Sequence, residues 1–214
     1  MGSTILPPAK RFCEKYKVNF NKEEQYLIDK DSKLKKIIIK NGHIDFKPNK
    51  SNQFDTLVGI IISQFISTKA ANTIFQNIRN NFGTEHLSEK NFKNLSLSQI
   101  KKLGLSTNKA RSIKELSNLY LKNNFDNLEN LDNEILNNKL LSIFGIGPWS
   151  INMFEIFCMG KLDVFSSKDA GLRLAMNKLG MIKPKSQWSL YDDYAEKWSP
   201  YKTIASLHLW KVVD

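Results

Sequence analysis

A glycine-containing bend followed by an isolated acid is the part of this sequence best suited to chemistry. Gly145-Ile146-Gly147-Pro148 interrupts a helical pattern, a second apolar run follows, and Asp169 stands after that run. Glycine leaves backbone N–H groups uncovered by a Cβ, and proline presets the first turn of the next helix. A tight bend that ends at a helix N-terminus is suited to binding phosphate. A phosphate-binding bend before a lone acid suggests chemistry on a nucleic acid.

The charge of the chain agrees with a polyanionic partner. The 214 residues include 32 Lys and Arg against 21 Asp and Glu, which gives a net charge of +11. Such an excess favours nucleic acid and makes binding sensitive to salt. A lysine-rich surface that is merely solvated explains the same numbers, so charge alone does not decide between the two.

Cysteine usage and hydropathy exclude several classes of protein. The two cysteines, Cys13 and Cys158, are far apart and form no Cys/His pattern typical of zinc or iron–sulfur sites. No apolar run is long enough for a membrane span, and Met1–Lys10 lacks the apolar centre of a signal peptide. We therefore expect an intracellular protein that does not enter a membrane. Residues 1–8 are expected to be a disordered lead.

Helical spacing of apolar residues dominates the chain and predicts an all-α fold. Phe54–Phe82 is predicted to be one long helix or two joined helices, ended by Gly83. Further helices are predicted at 88–93, 98–103, 109–121, 132–144, 150–159, 170–179, 187–198 and 201–212.

The segment before Phe54 leaves two structures open. Leu34, Ile37 and Ile38 follow helical spacing, with lysines on the other face. The Asn41-Gly42 pair is also a turn signal, so a short β-hairpin that pairs 37–39 with 44–46 is an alternative.

Four segments, in order, resemble the helix-hairpin-helix DNA glycosylases, and among them the 3-methyladenine DNA glycosylase II branch. They are Ile61–Ser67, Lys109–Ile113, Leu141–Asn152 with its Gly-Ile-Gly-Pro-Trp centre, and Asp163–Phe165 followed by Asp169–Arg173. The tail from Trp198 to Trp210 also looks like the family. A single glycine hairpin is weak support, whereas this ordered set is specific.

The resemblance implies a fold of two helical lobes with a DNA cleft between them. Residues 1–53 and 166–214 are expected to form one lobe from the two ends of the chain. Residues 54–165 are expected to form the other lobe, which carries the helix-hairpin-helix motif at about 132–159.

By the same resemblance, Asp169 is the catalytic carboxylate. Breaking an N-glycosidic bond builds positive charge on the sugar, and a carboxylate near C1′ stabilises it and orients or deprotonates a water molecule. From its position alone, Asp169 is more simply the N-cap of a helix that begins at Ala170. The two roles are compatible, because a cap geometry can direct the carboxylate.

Trp149 and Trp210 match aromatic positions that line the base pocket of the family, and Met153 falls where relatives often carry an aromatic residue. Alkylation makes a purine cationic, and an aromatic face attracts a cation. In relatives that also cleave the strand, a lysine matches Trp149 and forms a Schiff base with the sugar. Tryptophan at this position implies an enzyme without lyase activity. Each tryptophan taken alone is more simply a core residue.

The remaining predicted contacts are with DNA. Gln64 and Phe65 match the loop that enters the minor groove, where an apolar side chain fills the gap left by a flipped base. Spacing alone makes Phe65 more simply part of a helical stripe. The amides of Gly145 and Gly147 are expected to bind a phosphate. Candidate phosphate contacts among the charged side chains are Lys109, Arg111, Lys161 and Lys168.

Two further charged or titratable residues receive structural roles. His208 lies in an apolar run and is expected to be a partly buried, satisfied histidine, with a role in the base pocket as the lesser alternative. Arg173 follows Asp169 by one helical turn, and we expect it to be a structural partner or a phosphate contact rather than a catalyst.

The resemblance thus implies a glycosylase of base excision repair that releases alkylated purines, 3-methyladenine and 7-methylguanine, from double-stranded DNA. Excision of hypoxanthine, uracil or thymine stays open, as does a non-catalytic DNA-binding module, although such a module has no use for Asp169. No cofactor is expected beyond a monovalent cation on hairpin backbone carbonyls. A monomer is the simplest assembly, placed in the nucleoid of a prokaryote or the nucleus of a eukaryote.

Overall fold

The computed structural model describes residues 20–122, 128 and 131–213. Within these residues the regular structure is helical and no β-strand is present, which confirms the all-α fold. The lead predicted at residues 1–8 and the thiol of Cys13 lie outside the described residues.

The regular structure of the described residues is a series of α-helices. In chain order, the α-helices of the described residues are α1 (Lys22–Lys30), α2 (Ser32–Asn41), α3 (Gln53–Ser63), α4 (Thr68–Phe82), α5 (Glu89–Phe92), α6 (Leu97–Lys101), α7 (Thr107–Leu121), α8 (Asn133–Leu141), α9 (Pro148–Phe157), α10 (Ala170–Lys178), α11 (Trp188–Ala195) and α12 (Lys202–Trp210), with a 3-10 turn at Glu196–Trp198. None of these described helices has both the length and the apolar character needed to cross a membrane.

The backbone forms two compact units. One consists of Met1–Lys47 with Lys161–Asp214, and the other of Pro48–Gly160. Both limits fall a few residues before the boundaries expected at 53/54 and 165/166.

The first unit is built from both ends of the chain around one apolar core. Leu27 of α1, Leu34 of α2, Leu172 of α10, Leu209 of α12 and the indole of Trp198 are all fully buried. Burying a side chain of this size contributes roughly 2 kcal/mol to folding. This core therefore fixes α10 and α12, the two helices that carry the acidic site described below.

The second unit packs α3 against α4, α7 and α9. Leu57 and Ile61 of α3, Ile113 of α7 and Phe154 of α9 are fully buried. Because α3 contacts both α7 and α9, the chain that leaves its C-terminus has a fixed starting point beside these two helices.

The segment predicted as one or two helices at 54–82 is two helices. The chain leaves α3 after Ser63 and re-enters a helix at Thr68, where the Ser67 hydroxyl accepts a hydrogen bond from Ala70 N at 3.3 Å. Phe65 lies in the break, so its interpretation as one more member of the helical stripe is wrong.

Residues 32–41 are helical, and the alternative of a β-hairpin at 37–46 is therefore wrong. Asp31 starts α2 by accepting hydrogen bonds from Lys33 N and Leu34 N. Gly42 ends it with a φ of 71°. The turn signal is real, but it ends a helix instead of reversing a strand.

Helix α1 was not predicted, and it carries a buried acid. Glu24 is completely buried, and the Ile44 amide and His43 Nδ1 each lie 2.9 Å from its carboxylate. Burial alone would raise the pKa of Glu24, but hydrogen bonds from His208, Ile44, His43 and the Asn21 amide lower that pKa to about 2. His208 is fully buried, beyond the partial burial expected, with Nε2 3.3 Å from Glu24 Oε1.

Candidate functional site

Asp169 is the N-cap of α10, which confirms the capping role predicted from its position. Its Oδ1 accepts a hydrogen bond from Leu172 N at 2.7 Å, and its own amide donates to Ser166 O at 3.0 Å. The residue is 8 % exposed. The carboxylate is therefore held in one direction at the edge of the first unit's core.

Trp210 of α12 holds the same carboxylate oxygen. Its Nε1 donates to Asp169 Oδ1 at 3.1 Å. A Cβ at Gly171 would lie 3.1 Å from that oxygen and 3.3 Å from Trp210 Cδ1. The indole therefore approaches the acid closely because residue 171 is a glycine. The sequence motif contained Gly171, but no spacing signal pointed to this packing.

The segment before Asp169 is anchored to the helices around it. Thr203 of α12 is fully buried, and its hydroxyl donates to Lys161 O at 2.7 Å. The guanidinium of Arg173 donates to Ser167 O. Arg173 therefore has a structural role, which is the first of the two roles expected for it. Its hydrogen bond links α10 to the loop that leads into this helix.

This arrangement suits stabilisation of a positive charge. Two N–H donors on one oxygen restrict rotation of the carboxylate, so the group needs no reorganisation when a cation develops beside it. A helix N-terminus also favours the anionic form. A carboxylate held in this way can stabilise a sugar oxocarbenium ion or orient a water molecule.

In the second unit, α8, a bend and α9 form the helix-hairpin-helix predicted at about 132–159. Gly145 has a φ of 80°, a left-handed conformation that favours glycine. Gly147 is the N-cap of α9 and Pro148 its first residue, and no described side chain caps this helix. The first amides of α9 can therefore serve an anion, as the sequence predicted.

Helix α7 fixes the shape of the bend. A Cβ at Gly145 would collide with Ser112 Oγ, so the backbone lies directly against α7. Glu115 Oε1 accepts a hydrogen bond from Phe144 N at 3.1 Å. The guanidinium carbon of Arg111 lies 3.9 Å from the centre of the Phe144 ring. Arg111 is exposed, and this stacking holds its charge beside the predicted phosphate site.

The loop between α3 and α4 presents an unusual aromatic residue. Phe65 is fully exposed, at 102 % of its reference area, and its φ of 60° is left-handed. Gln64 before it donates from Nε2 to Gly145 O at 2.9 Å and to Ser150 Oγ at 3.0 Å. Phe65 thus has the exposure that a DNA wedge needs, whereas the Gln64 amide is engaged with the bend.

Lysines predicted to contact phosphate differ in their surroundings. Lys109 donates from Nζ to Ile62 O at 2.8 Å, and desolvation by partial burial lowers its pKa. Its first role is therefore to cap the C-terminal end of α3. Lys168 is exposed and precedes Asp169, and Lys161 is half-buried. Phosphate contact by all three stays a prediction.

The predicted pocket residues are divided between the two units. Trp149 is half-buried in the first turn of α9, and Met153 is 4 % exposed one turn later on the same helix. Trp210 belongs to the first unit, where it binds Asp169. The contact of each with a base stays a prediction.

The monovalent cation expected on the hairpin also stays a prediction. Gly145 O already accepts a hydrogen bond from Gln64, and Ile143 O accepts one from Ile146 N at 3.1 Å. No step of the reaction considered below uses a cation.

Comparison with known proteins agrees with this architecture. The DNA-3-methyladenine glycosylase of Saccharomyces cerevisiae is 26% identical, over 100% of this chain and 87% of its own. The crystal structure of DNA-3-methyladenine glycosidase from Bacillus halodurans is similar with a TM-score of 0.69 and 29% identity, over 90% of this chain and 89% of that one. The 3-methyladenine DNA glycosylase of Schizosaccharomyces pombe, solved with abasic DNA, gives a TM-score of 0.77 and 25% identity, over 89% of this chain and 96% of that one.

The family itself is matched over residues 58–200, by a model that describes the HhH-GPD superfamily of base excision DNA repair proteins. This range contains the loop between α3 and α4, the hairpin and Asp169, and the resemblance inferred from the four segments is confirmed. Since the match spans well over half of the 214 residues, this chain belongs to the HhH-GPD superfamily of base excision DNA repair proteins.

Proposed function

We propose that this protein is a DNA glycosylase that hydrolyses the N-glycosidic bond of alkylated purines, 3-methyladenine and 7-methylguanine, in base excision repair. The observation that carries the proposal is the buried carboxylate of Asp169, whose Oδ1 accepts hydrogen bonds from Leu172 N and Trp210 Nε1. Similarity to relatives named 3-methyladenine glycosylases, over nine tenths or more of this chain for two of them, supports the substrate class.

The reaction begins with removal of the damaged nucleotide from the base stack. Phe65 is suited to fill the resulting gap, because its ring is exposed and stands on a loop between two helices. The uncapped first turn of α9 and the stacked guanidinium of Arg111 are suited to hold the sugar–phosphate chain.

Asp169 then acts on the extruded nucleotide. As the bond from C1′ to the base nitrogen breaks, the base leaves with the bonding electrons and positive charge develops on the sugar. The carboxylate stabilises that charge and accepts a proton from the water that adds to C1′. An alkylated purine is already cationic and leaves without prior protonation, so a single carboxylate suffices.

We further propose that the enzyme leaves the DNA strand intact. Strand cleavage by a Schiff base requires an amine that attacks C1′. The first turn of α9 carries Trp149 where such relatives carry lysine, and its indole cannot serve as that nucleophile. Lys168 beside Asp169 is the nearest alternative amine in sequence, and we assign it to phosphate contact.

Duplex DNA with a damaged base is the proposed partner, and the protein is proposed to act as a monomer without a redox cofactor. Its net charge of +11 supports binding to the DNA backbone. A repair enzyme of this kind works where the chromosome is, in a nucleoid or a nucleus.

Base release is the test. The protein is incubated with duplex oligonucleotides that contain 3-methyladenine, 7-methylguanine, hypoxanthine, uracil or a thymine mismatch, and released bases are measured by chromatography. Release of the two methylated purines, without strand breaks before alkali treatment, is expected. If only another base is released, that base replaces the alkylated purines as the substrate. Tight binding to DNA without release of any base would support a DNA-binding module.

Borohydride distinguishes the two kinds of glycosylase. A Schiff base between protein and sugar is reduced to a stable covalent adduct, which migrates as a larger band on a denaturing gel. No adduct is expected. An adduct, mapped to Lys168 by mass spectrometry, would overturn the proposed absence of lyase chemistry.

A further inference from the structure

The loop of residues 64–67 between α3 and α4, called the wedge loop below, holds Phe65 in a conformation that the residue does not adopt by preference. A non-glycine residue with φ near 60° is strained, and a phenyl ring in water gains nothing from burial. Such a conformation persists only where neighbouring contacts determine it. The contacts that do so are therefore part of the wedge.

Gln64 supplies the contact on the N-terminal side of Phe65. Its amide nitrogen uses both hydrogens, donating to Gly145 O at 2.9 Å and to Ser150 Oγ at 3.0 Å. Gly145 lies at the apex of the bend, and Ser150 lies in the first turn of α9, where it is 2 % exposed. One side chain thus joins the wedge loop to both parts of the phosphate-binding hairpin.

Further contacts hold the ends of the loop. Lys109 Nζ binds Ile62 O at 2.8 Å and so fixes the last turn of α3. Ile66 N donates to Ser63 O at 3.4 Å, and the chain then enters α4. These bonds fix where the loop begins and ends, and Gln64, directly before Phe65, joins the loop to the hairpin.

We propose that Gln64 is a positioning residue, which couples the wedge to the hairpin so that insertion of Phe65 and the grip on phosphate occur as one rigid movement. This inference rests on the proposed function, because it concerns extrusion of a nucleotide. It replaces the expectation that Gln64 itself enters the minor groove, since both of its donors are used inside the protein.

The coupling predicts a dependence on how firmly the damaged base is paired. If Phe65 loses its support, extrusion of a paired base should become slower. A base without a partner needs little help to leave the stack, so its extrusion should change little. Substitution of Gln64 should therefore affect a normally paired lesion more than the same lesion opposite an abasic-site analogue. A loss of folding or of chemistry would reduce both rates equally.

The experiment compares Gln64→Leu, Gln64→Glu, Phe65→Ala and the Gln64→Leu/Phe65→Ala double variant by single-turnover release of 7-methylguanine from both duplexes. Leucine removes the donors, and glutamate keeps the shape while placing a carboxylate against Gly145 O. The control is Gln76→Leu, which removes an exposed amide from α4. Thermal unfolding of each variant checks the fold.

For both Gln64 variants we expect release from the paired duplex to fall about 10-fold and release from the unpaired duplex less than about 2-fold. The double variant should release base from the paired duplex as slowly as Phe65→Ala alone, because both substitutions act through the Phe65 ring. Equal losses on both duplexes, or full additivity, would overturn the proposal. If the unmodified protein releases no base from either duplex, the proposed function fails instead, so the two failures are distinguishable.

Discussion

Two acids of the first unit, Glu24 and Asp169, are both buried but are held by different kinds of partner. Glu24 is fully enclosed, and its two oxygens are bound by two histidines and two backbone amides from separate parts of the chain. Asp169 stands at a helix N-terminus, where a backbone amide and Trp210 bind one of its oxygens. The donors to Glu24 come from distant segments, whereas the two donors to Asp169 Oδ1 are an amide of its own helix and the indole of Trp210.

The difference predicts a separate role for each acid. A carboxylate bound on both oxygens joins segments and leaves no room for a substrate, so removing it should cost stability. A carboxylate held at a helix N-terminus by a backbone amide and an indole N–H keeps one direction, so under the proposed function disturbing it should cost activity. Substitutions that separate activity from stability can therefore break or sharpen this comparison.

The largest effect is expected for Asp169→Asn. Asparagine is as good an N-cap as aspartate, so α10 should persist, but the negative charge that stabilises the sugar cation is lost. Release of 7-methylguanine should fall about 100-fold or more, with unfolding temperature almost unchanged. Chromatography of released base and calorimetry measure the two quantities.

The matched control is Asp193→Asn, which removes an exposed charge from α11 in the same unit. Its activity should match that of the unmodified protein. Full activity of Asp169→Asn would remove Asp169 from the proposed mechanism. A large loss of stability in that variant would show that its role is structural, like that of Glu24.

The opposite pattern is expected for Glu24→Gln. Breaking one member of a buried charged network costs roughly 3 kcal/mol, whereas the activity of the folded fraction should be retained. Denaturant unfolding measures the loss, and Asp29→Asn, which changes an exposed acid of the same helix, should change the unfolding free energy by less than about 0.5 kcal/mol. A large loss of base release by Glu24→Gln, with an unchanged free energy of unfolding, would contradict this assignment.

The stability lost in Glu24→Gln should depend on pH, and this dependence gives a second measurement. The folded pKa of Glu24 is lowered from 4.5 to about 2, so the folded state binds this proton less readily than the unfolded state. Its contribution is therefore fully present above about pH 4.5 and disappears as the pH falls toward 2. The gap in unfolding free energy between the unmodified protein and Glu24→Gln should narrow over this range.

The smallest expected effect, and the most diagnostic, is that of Gly171→Ala. Alanine favours the helix by up to about 1 kcal/mol, but its Cβ would meet the Asp169 carboxylate at 3.1 Å and Trp210 at 3.3 Å. The variant should keep its stability and lose about 10-fold in base release, as a displaced carboxylate no longer fits the sugar. Trp210→Phe, which removes the donor, should show a similar loss. Unchanged release in both variants would show that the Trp210 contact does not orient the acid.

Much of this architecture is predictable from local patterns. Helix ends are marked by capping residues such as Asp132, Asp169 and Gly83, whose action depends only on nearby backbone groups. The hairpin and the acid that follows it were identified for the same reason, since their signals lie within short stretches of sequence. Family resemblance supplied the reaction.

The rest depends on contacts between distant residues. Spacing favoured Phe65 as part of a helical stripe, because nothing local reports the left-handed break in which it lies. The bond from Gln64 to Gly145 and that from Trp210 to Asp169 each join residues far apart in the chain. Nothing in the sequence near Glu24 marks it as buried, and the fold brings His43 and His208 to its carboxylate.

The exposed ring of Phe65 has a consequence for how the protein meets its partner. No described part of the chain covers this ring, so the DNA that the loop is proposed to enter must displace the water around it. Association should then contain a component that salt does not screen and that lowers the heat capacity, beside the ionic component contributed by the basic surface. One aromatic side chain would thus give a mainly electrostatic encounter an apolar signature.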